Sequence, residues 1–559
     1  MSEHIDAILF DMGGTLRRNT NRALSEKVEI MKQILELIGS EEDPAEFTAL
    51  LTSRSNAYQK WAKLNMLELN EVELWCRWML PDLPAEKISK MAVKLNQIWR
   101  DANRKYHIIP EAQETVLALF RAGYRLGLVS NTTSSIEAPR LLDEHGIAGC
   151  FETVILSCEV GKRKPDAAIL LEATRRMGVR PAQCAYIGNL PDRDVAAARN
   201  AGFSRTVILR DSISPIELPI DPALLPDHFI DNLNELLEIF PSLQKGQKPA
   251  SNDRVYDASL STMWGMKKFS ALGDFLLTVP RLGFTGVELN HQVTPGMLAE
   301  IDMNCCRFTS IHEPCPAVIA ANVLKKQDLL ISSPDEERRR VGINSIKRSI
   351  DLASKLGSKV VVVHCGQVQA DWTVERELCS LFERGQVGSP EYLELKSRYE
   401  EQRAALVDPY LDAVRISLLD LLDYAGSLGV RLGIENRFHY SDIPTQDEME
   451  GILAMADPDQ LGFIYDVGHA QTQARLGFYS HEGWLKRYAD RILGAHLHDV
   501  TGIHDHRAPG LGEVDFRMVA AYLPGNAFRT IEVMSFNSPE QIKTGMNILF
   551  ETGCVSLIE

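Results

Sequence analysis

The sequence predicts an α/β protein of two modules, an open parallel sheet carrying a helical insert and then a (β/α)8 barrel. Three observations lead there. Short apolar runs alternate with helical patterns, the signature of parallel strands joined by crossover helices. Four such runs precede a polar stretch with Gly and Pro, SLQKGQKPASND (242–253), and eight follow it. Ten of the 14 histidines lie after residue 250, which points to metal chemistry in the second module.

In the first module the runs are AILF (7–10), RLGLVS (125–130), ETVILS (152–157) and CAYIGN (184–189). Residues of about 18–103 interrupt them with Leu, Glu, Lys, Met and Trp at helical spacing, which predicts an inserted helical cap. The module therefore spans 1–241, a linker covers 242–253, and the second module covers 254–559. Its eight strands are VYDASL (255–260), TGVELN (285–290), FTSIHE (308–313), KVVVVHC (359–365), RLGIEN (431–436), GFIYDV (462–467), ILGAHLHD (492–499) and RTIEVM (529–534). Eight strand-helix units in about 300 residues fit a barrel.

Composition narrows the function. Of the 559 residues, 45% are hydrophobic and 24% charged, a globular balance. No run of 18 apolar residues predicts a membrane span, and the first residues lack the basic-then-apolar pattern of a secretory signal. The 10 cysteines form no C-x-x-C pair, so a reducing, cytoplasmic setting is expected. Net charge is -16, with residues 251–559 carrying -12 of it. That disfavours a nucleic-acid partner and favours a small molecule.

In the first module Asp11 follows the first strand and precedes Gly-Gly-Thr, which puts a carboxylate at the ligand-binding edge of the sheet. FDMGGTL resembles motif I of the haloacid dehalogenase-like phosphohydrolases, which have a Rossmann-like sheet. SNTTSS, GKRKPD and GNLPDRD with AAARNAG follow in that family's order. The resemblance implies Asp11 as nucleophile, with Ser130, Asn131 and Lys164 around the phosphoryl group. It implies Mg²⁺ on Asp11, Asp194 and the Gly13 carbonyl. Two positions depart from the family. Gly13 stands where its phosphatases carry a general acid, and Asn189 replaces the first acid of the last motif. Loss of the acid alone should slow turnover by about 10²–10⁴-fold.

In the second module His and carboxylates end successive strands. His312, His364, Glu435, Asp466 with His469, His496 and His498, His504 and His506 in the following loop, and Glu532 all fall at the C-terminal face, where barrel enzymes act. Imidazole mixed with carboxylate suits Zn²⁺, Mn²⁺ or Co²⁺. His496 and His498, two apart on one strand, point to the same side, and spacing does not choose between them. GIENR, YDVGHA, HLHDV, PGLGEVDF and IEVM resemble the xylose isomerase-like barrels, a group that includes ketose 3-epimerases and endonuclease IV.

That resemblance implies two chemistries. In an isomerase or epimerase of a sugar, sugar phosphate or ketose, one Mn, Co, Zn or Mg ion sits on Glu435, Asp466, a strand-7 histidine and Glu532. Glu435 and Glu532 then move the proton, and His469 holds a substrate oxygen. In a phosphodiester hydrolase, His312, His364 and Glu435 hold one ion. Glu435, Asp466, His496 and Glu532 hold a second, and His469 and His506 a third. There His504 replaces the family's aspartate or the register slips. Arg437 and His504 are further substrate-binding candidates, and Arg437 suits a phosphate or carboxylate. Segment 370–412 reads either as surface helices or as a lid or a contact between two copies.

Overall fold

The computed structural model describes residues 4–210, 221–243 and 254–558. The chain divides into two compact units, Met1–Asn252 and Asp253–Glu559. From residue 244 on, the expected linker lies outside the described residues.

The first unit contains β1 (Ala7–Phe10), β2 (Arg17–Asn21), β3 (Arg104–Ile108), β4 (Arg125–Ser130), β5 (Phe151–Leu156), β6 (Cys184–Gly188), β7 (Arg205–Leu209) and β8 (His228–Ile230). A six-stranded sheet runs in the order β5-β4-β1-β6-β7-β8, with every pairing parallel. Every residue of β1, β4 and β6 is buried. Strands covered on both faces read as unbroken apolar runs, which is why the sequence reveals them. The sheet has two strands beyond the four expected, the buried β7 and the three-residue β8. β2 and β3 also escape that reading because they form a mostly exposed, polar antiparallel ribbon. Between them lies the cap, with helices Leu24–Ile38, Pro44–Asn65 and Ala85–Asn103. Pro44 opens the second of these, and the Asp43 side chain accepts the Ala45 and Glu46 amide protons. The cap has its own core of Met31, Ile34, Phe47, Leu51, Trp75 and Leu95, among others.

Glu137 is buried between two arginines. Arg100, on the last cap helix, donates from Nε at 2.6 Å and from Nη2 at 2.7 Å, and Arg17 of β2 pairs with the same carboxylate. Burial pushes the Glu137 carboxyl up, but the two guanidinium groups outweigh it and hold the group at about 2, below its ordinary 4.5. The trio's stabilisation is therefore fully present above about pH 4.5 and is lost as pH falls towards 2. It amounts to about 3 kcal/mol. Urea unfolding at pH 5 and pH 3 should show a larger acid loss for the wild type than for Glu137→Gln. Equal losses would remove Glu137 from this account.

The second unit is a closed barrel. Its strands are β9 (Tyr256–Ser261), β10 (Phe284–Leu289), β11 (Arg307–His312), β12 (Val360–Val363), β13 (Arg431–Glu435), β14 (Leu461–Asp466), β15 (Ile492–Leu497) and, after a hairpin of β16 (Asp499–Thr501) and β17 (His504–Arg507), β18 (Phe528–Ile531). All pairings are parallel, and β18 returns to β9. Segment 370–412 contributes helix Trp372–Glu383 and the start of Pro390–Ser427. The two pack through Val374, Leu378, Leu381, Tyr392, Leu395 and Tyr399. Trp264 is fully buried and donates its ring N–H to the Asn537 carbonyl at 2.9 Å.

Candidate functional site

Each barrel strand from β11 onward delivers a polar group to one end of the ring. Glu435, at the end of β13, is the centre and is fully buried. Its Oε1 lies 2.7 Å from His496 Nδ1 and 3.7 Å from His312 Nε2, and its Oε2 lies 3.0 Å from His364 Nε2. Glu532, just past β18, reaches the same His496 Nδ1 at 2.9 Å. The backbone sets the tautomers. His312 Nδ1 faces the Glu313 carbonyl at 3.0 Å and His469 Nδ1 the Asn436 carbonyl at 2.9 Å, so each ring donates there and turns Nε2 towards the site.

The geometry separates the two histidines of strand 7. His496 points into the carboxylate cluster. His498 accepts the His506 amide proton on Nδ1 at 2.9 Å and donates from Nε2 to Asp466 at 3.0 Å. Asp466 also accepts the His469 amide proton at 2.7 Å, capping helix Val467–Arg475. Thus His498 orients a carboxylate while His496 faces the centre.

Three donor groups overlap here, each with ligand atoms within 4.8 Å of one another. They are His312, Glu435, His496 and Glu532; Glu435, Asp466 and His469; and His469, Asp505 and His506. Asp505, which a slipped register puts in the place of the family's aspartate, lies in the third group. His504 is exposed and faces Glu383 at 3.4 Å, so the structure leaves it outside the cluster. The positive φ of His506, 55°, breaks the strand alternation, so Asp505 and His506 both reach the cluster while His504 stays exposed. Glu288 of β10, outside the residues expected from the sequence, joins the cluster. Its Oε2 lies 3.1 Å from His496 Nε2 and accepts the Ser310 hydroxyl at 2.6 Å. A lone acid in the apolar run VEL was the signal. Arg437 contacts Glu435 at 2.5 Å. Beside it a cavity of about 240 Å³ opens, lined by His364, Arg437, Lys325, Asn322, Gln367 and Leu324, among others.

In the first unit Asp11 and Asp194 share Lys164. Its Nζ lies 2.6 Å from Asp11 Oδ1 and 2.9 Å from Asp194 Oδ1, and it also meets the Tyr186 hydroxyl at 2.6 Å. Asn131 clamps the lysine's backbone through two hydrogen bonds of 2.9 Å. Ser130 is buried at the end of β4. Arg193 approaches from the opposite side, with Nη2 2.9 Å from Asp11 Oδ2 and 3.1 Å from Asp194 Oδ2.

Residues 5–202 match the family model of haloacid dehalogenase-like hydrolases, and residues 279–552 match that of xylose isomerase-like TIM barrels. The chain is a fusion of these two folds. Glyceraldehyde 3-phosphate phosphatase of Methanopyrus kandleri is 33% identical over 136 residues, 24% of this chain and 58% of that protein. The chain thus spans little more than half the length of that relative. Phosphoserine phosphatase of Thermus thermophilus is 26% identical over 255 residues, 41% of this chain and 96% of that protein. A solved D-tagatose 3-epimerase-like protein shares 21% identity at a TM-score of 0.38, covering 53% of this chain and 96% of its own.

The xylose isomerase-like barrel fits a divalent ion. His496 Nδ1, Glu435 Oε1 and Glu532 Oε1 are buried and make no well-directed hydrogen bond, although they lie in one cluster. Convergent orphan atoms of imidazole and carboxylate suit Zn²⁺, Mn²⁺ or Co²⁺. Without an ion, protons take its place. Burial pushes His312 and His506 down, but the surrounding carboxylates carry both to about 9. A dication entering the site displaces such protons.

The PGLGEV segment of the barrel also has a physical account. The buried Asp499 carboxylate accepts amide protons from Val500 at 2.9 Å, Gly510 at 2.8 Å, Gly512 at 3.0 Å and Val514 at 3.0 Å. A Cβ on Gly512 would stand 2.3 Å from the Val500 carbonyl oxygen, so only glycine allows this wrap. Asp499→Ala should cost about 3 kcal/mol, because four donors lose a charged acceptor. Thermal melting and limited proteolysis between 508 and 514 measure this. An unchanged melting point would remove Asp499 as the anchor.

Proposed function

We propose that the xylose isomerase-like barrel is a metal-dependent isomerase or epimerase of a sugar, sugar phosphate or related ketose. The observation that carries this reading is the pair of buried carboxylates, Glu435 and Glu532, which converge on His496 Nδ1 at 2.7 and 2.9 Å. Glu435, Asp466, His496 and Glu532 would hold the ion, which when bound supplies polarisation of the substrate's carbonyl and hydroxyl oxygens. One glutamate takes the proton from the carbon next to the carbonyl, and the other returns a proton from the opposite face. His498 fixes Asp466, and Glu288 fixes His496, so neither ligand has to be ordered on binding. His469 offers Nε2 to a substrate oxygen. The cavity beside Arg437 and Lys325 suits a small polar substrate, with the two cations at hand for an anionic group.

A second reading, a metal-cluster phosphodiester hydrolase, is favoured by one observation, the extra donor group His469, Asp505 and His506. Metal analysis of the full chain, purified without chelator, separates the two. About one Mn, Co, Mg or Zn per chain supports the isomerase, to be followed by a panel of ketoses and sugar phosphates. Two or three Zn per chain would overturn that preference and direct the assays to phosphodiesters, small ones first.

For the haloacid dehalogenase-like domain we propose recognition of a small phosphate monoester, the class acted on by the relatives named as phosphatases, with slow turnover or none. Gly13 supplies no general acid. Aryl phosphate hydrolysis should be equal in wild type and Asp11→Asn. A wild-type rate well above that of the variant would restore the covalent mechanism.

A further inference from the structure

The family resemblance assigns Mg²⁺ to Asp11 and Asp194, yet the structure already gives those carboxylates two cations. Arg193 Nη2 lies 2.9 Å from Asp11 Oδ2, 3.1 Å from Asp194 Oδ2 and 3.1 Å from Asn189 Oδ1. One nitrogen thus stands among the oxygens that would surround the ion. Lys164 Nζ takes the remaining carboxylate oxygens, at 2.6 and 2.9 Å. Two carboxylates against one lysine and one arginine leave no formal charge for a dication to neutralise.

We propose that Arg193 takes the place of the divalent cation in this domain, so that the domain works without Mg²⁺. Mg²⁺ demands near-octahedral oxygens at about 2.0–2.1 Å. It would have to expel a guanidinium that cannot give way by losing its proton. Asp194 is not free to turn aside. Its Oδ2 accepts the Asn189 and Leu190 amide protons at 3.1 and 3.0 Å, and a Cβ on Gly188 would stand 2.5 Å from it. Asn189 belongs to the same arrangement. An aspartate there would add a negative charge and recreate the demand for a second external cation, whereas the amide offers Arg193 an oxygen at no net charge. Charge balance therefore links the missing acid of the last motif to the arginine four residues on.

Mn²⁺ titration of the full-length protein, with free ion followed by electron paramagnetic resonance, tests this. Wild type and Asp194→Asn should bind the same number of ions, those of the barrel alone. Arg193→Met should gain about one Mn²⁺ per chain, and Arg193→Met/Asp194→Asn should lose it again. A wild-type ion that disappears in Asp194→Asn would overturn the proposal, as would a folded Arg193→Met that gains none. If Arg193→Met does not fold, the comparison of wild type with Asp194→Asn still decides.

Discussion

On the proposed metal-dependent reading, replacing Glu435 with glutamine is expected to abolish metal binding by the barrel and lower turnover by about 10³-fold, equivalent to about 4 kcal/mol in the transition state. The amide keeps the shape of the side chain but not its charge. His364 at 3.0 Å, His496 at 2.7 Å and Arg437 would then share a neutral group. Arg437 would be left as an under-compensated buried cation, which costs about 3–5 kcal/mol. Elemental analysis reads the first effect, product formation the second and urea unfolding the third. Full metal content in the variant would show that Glu435 is no ligand.

Gly468→Ala is expected to damage the same site without touching a ligand. Gly468 lies in the first turn of helix Val467–Arg475. Its added Cβ would stand 2.0 Å from Cε1 and 2.6 Å from Nδ1 of His498. That ring cannot slide, because it stacks on His506 at 4.3 Å and is hydrogen-bonded at both nitrogens. Overpacking of this kind costs about 1–3 kcal/mol. Misplacing Asp466 should weaken metal binding by about 10–100-fold. Adding His498→Ala should recover part of the lost stability and none of the lost affinity. If the double variant is less stable than Gly468→Ala, the clash lies elsewhere.

The sequence reveals what burial makes periodic. All eight barrel strands are legible because both of their faces are covered, and the strand-end histidines and acids stand out against those runs. Four features stay hidden for physical reasons. β2 and β3 carry no apolar pattern because they face solvent. Glu288 and His496 are 208 positions apart and meet only through ring closure. The hairpin decides between His504 and Asp505, and spacing does not reveal it. The last motif, GNLPDRD, marks Asp194 but gives no sign that the neighbouring Arg193 turns back onto Asp11.

The return of β18 to β9 has a consequence for how this protein comes into being. Glu532 arrives with the last strand, 220 residues after His312, so the site assembles only once the longest contact of the barrel has formed. Contacts of such separation are slow to form. Metal uptake during refolding should therefore lag behind the appearance of helix and report the final step. A chain cut short before residue 528 would present histidines with no lasting place to hold an ion.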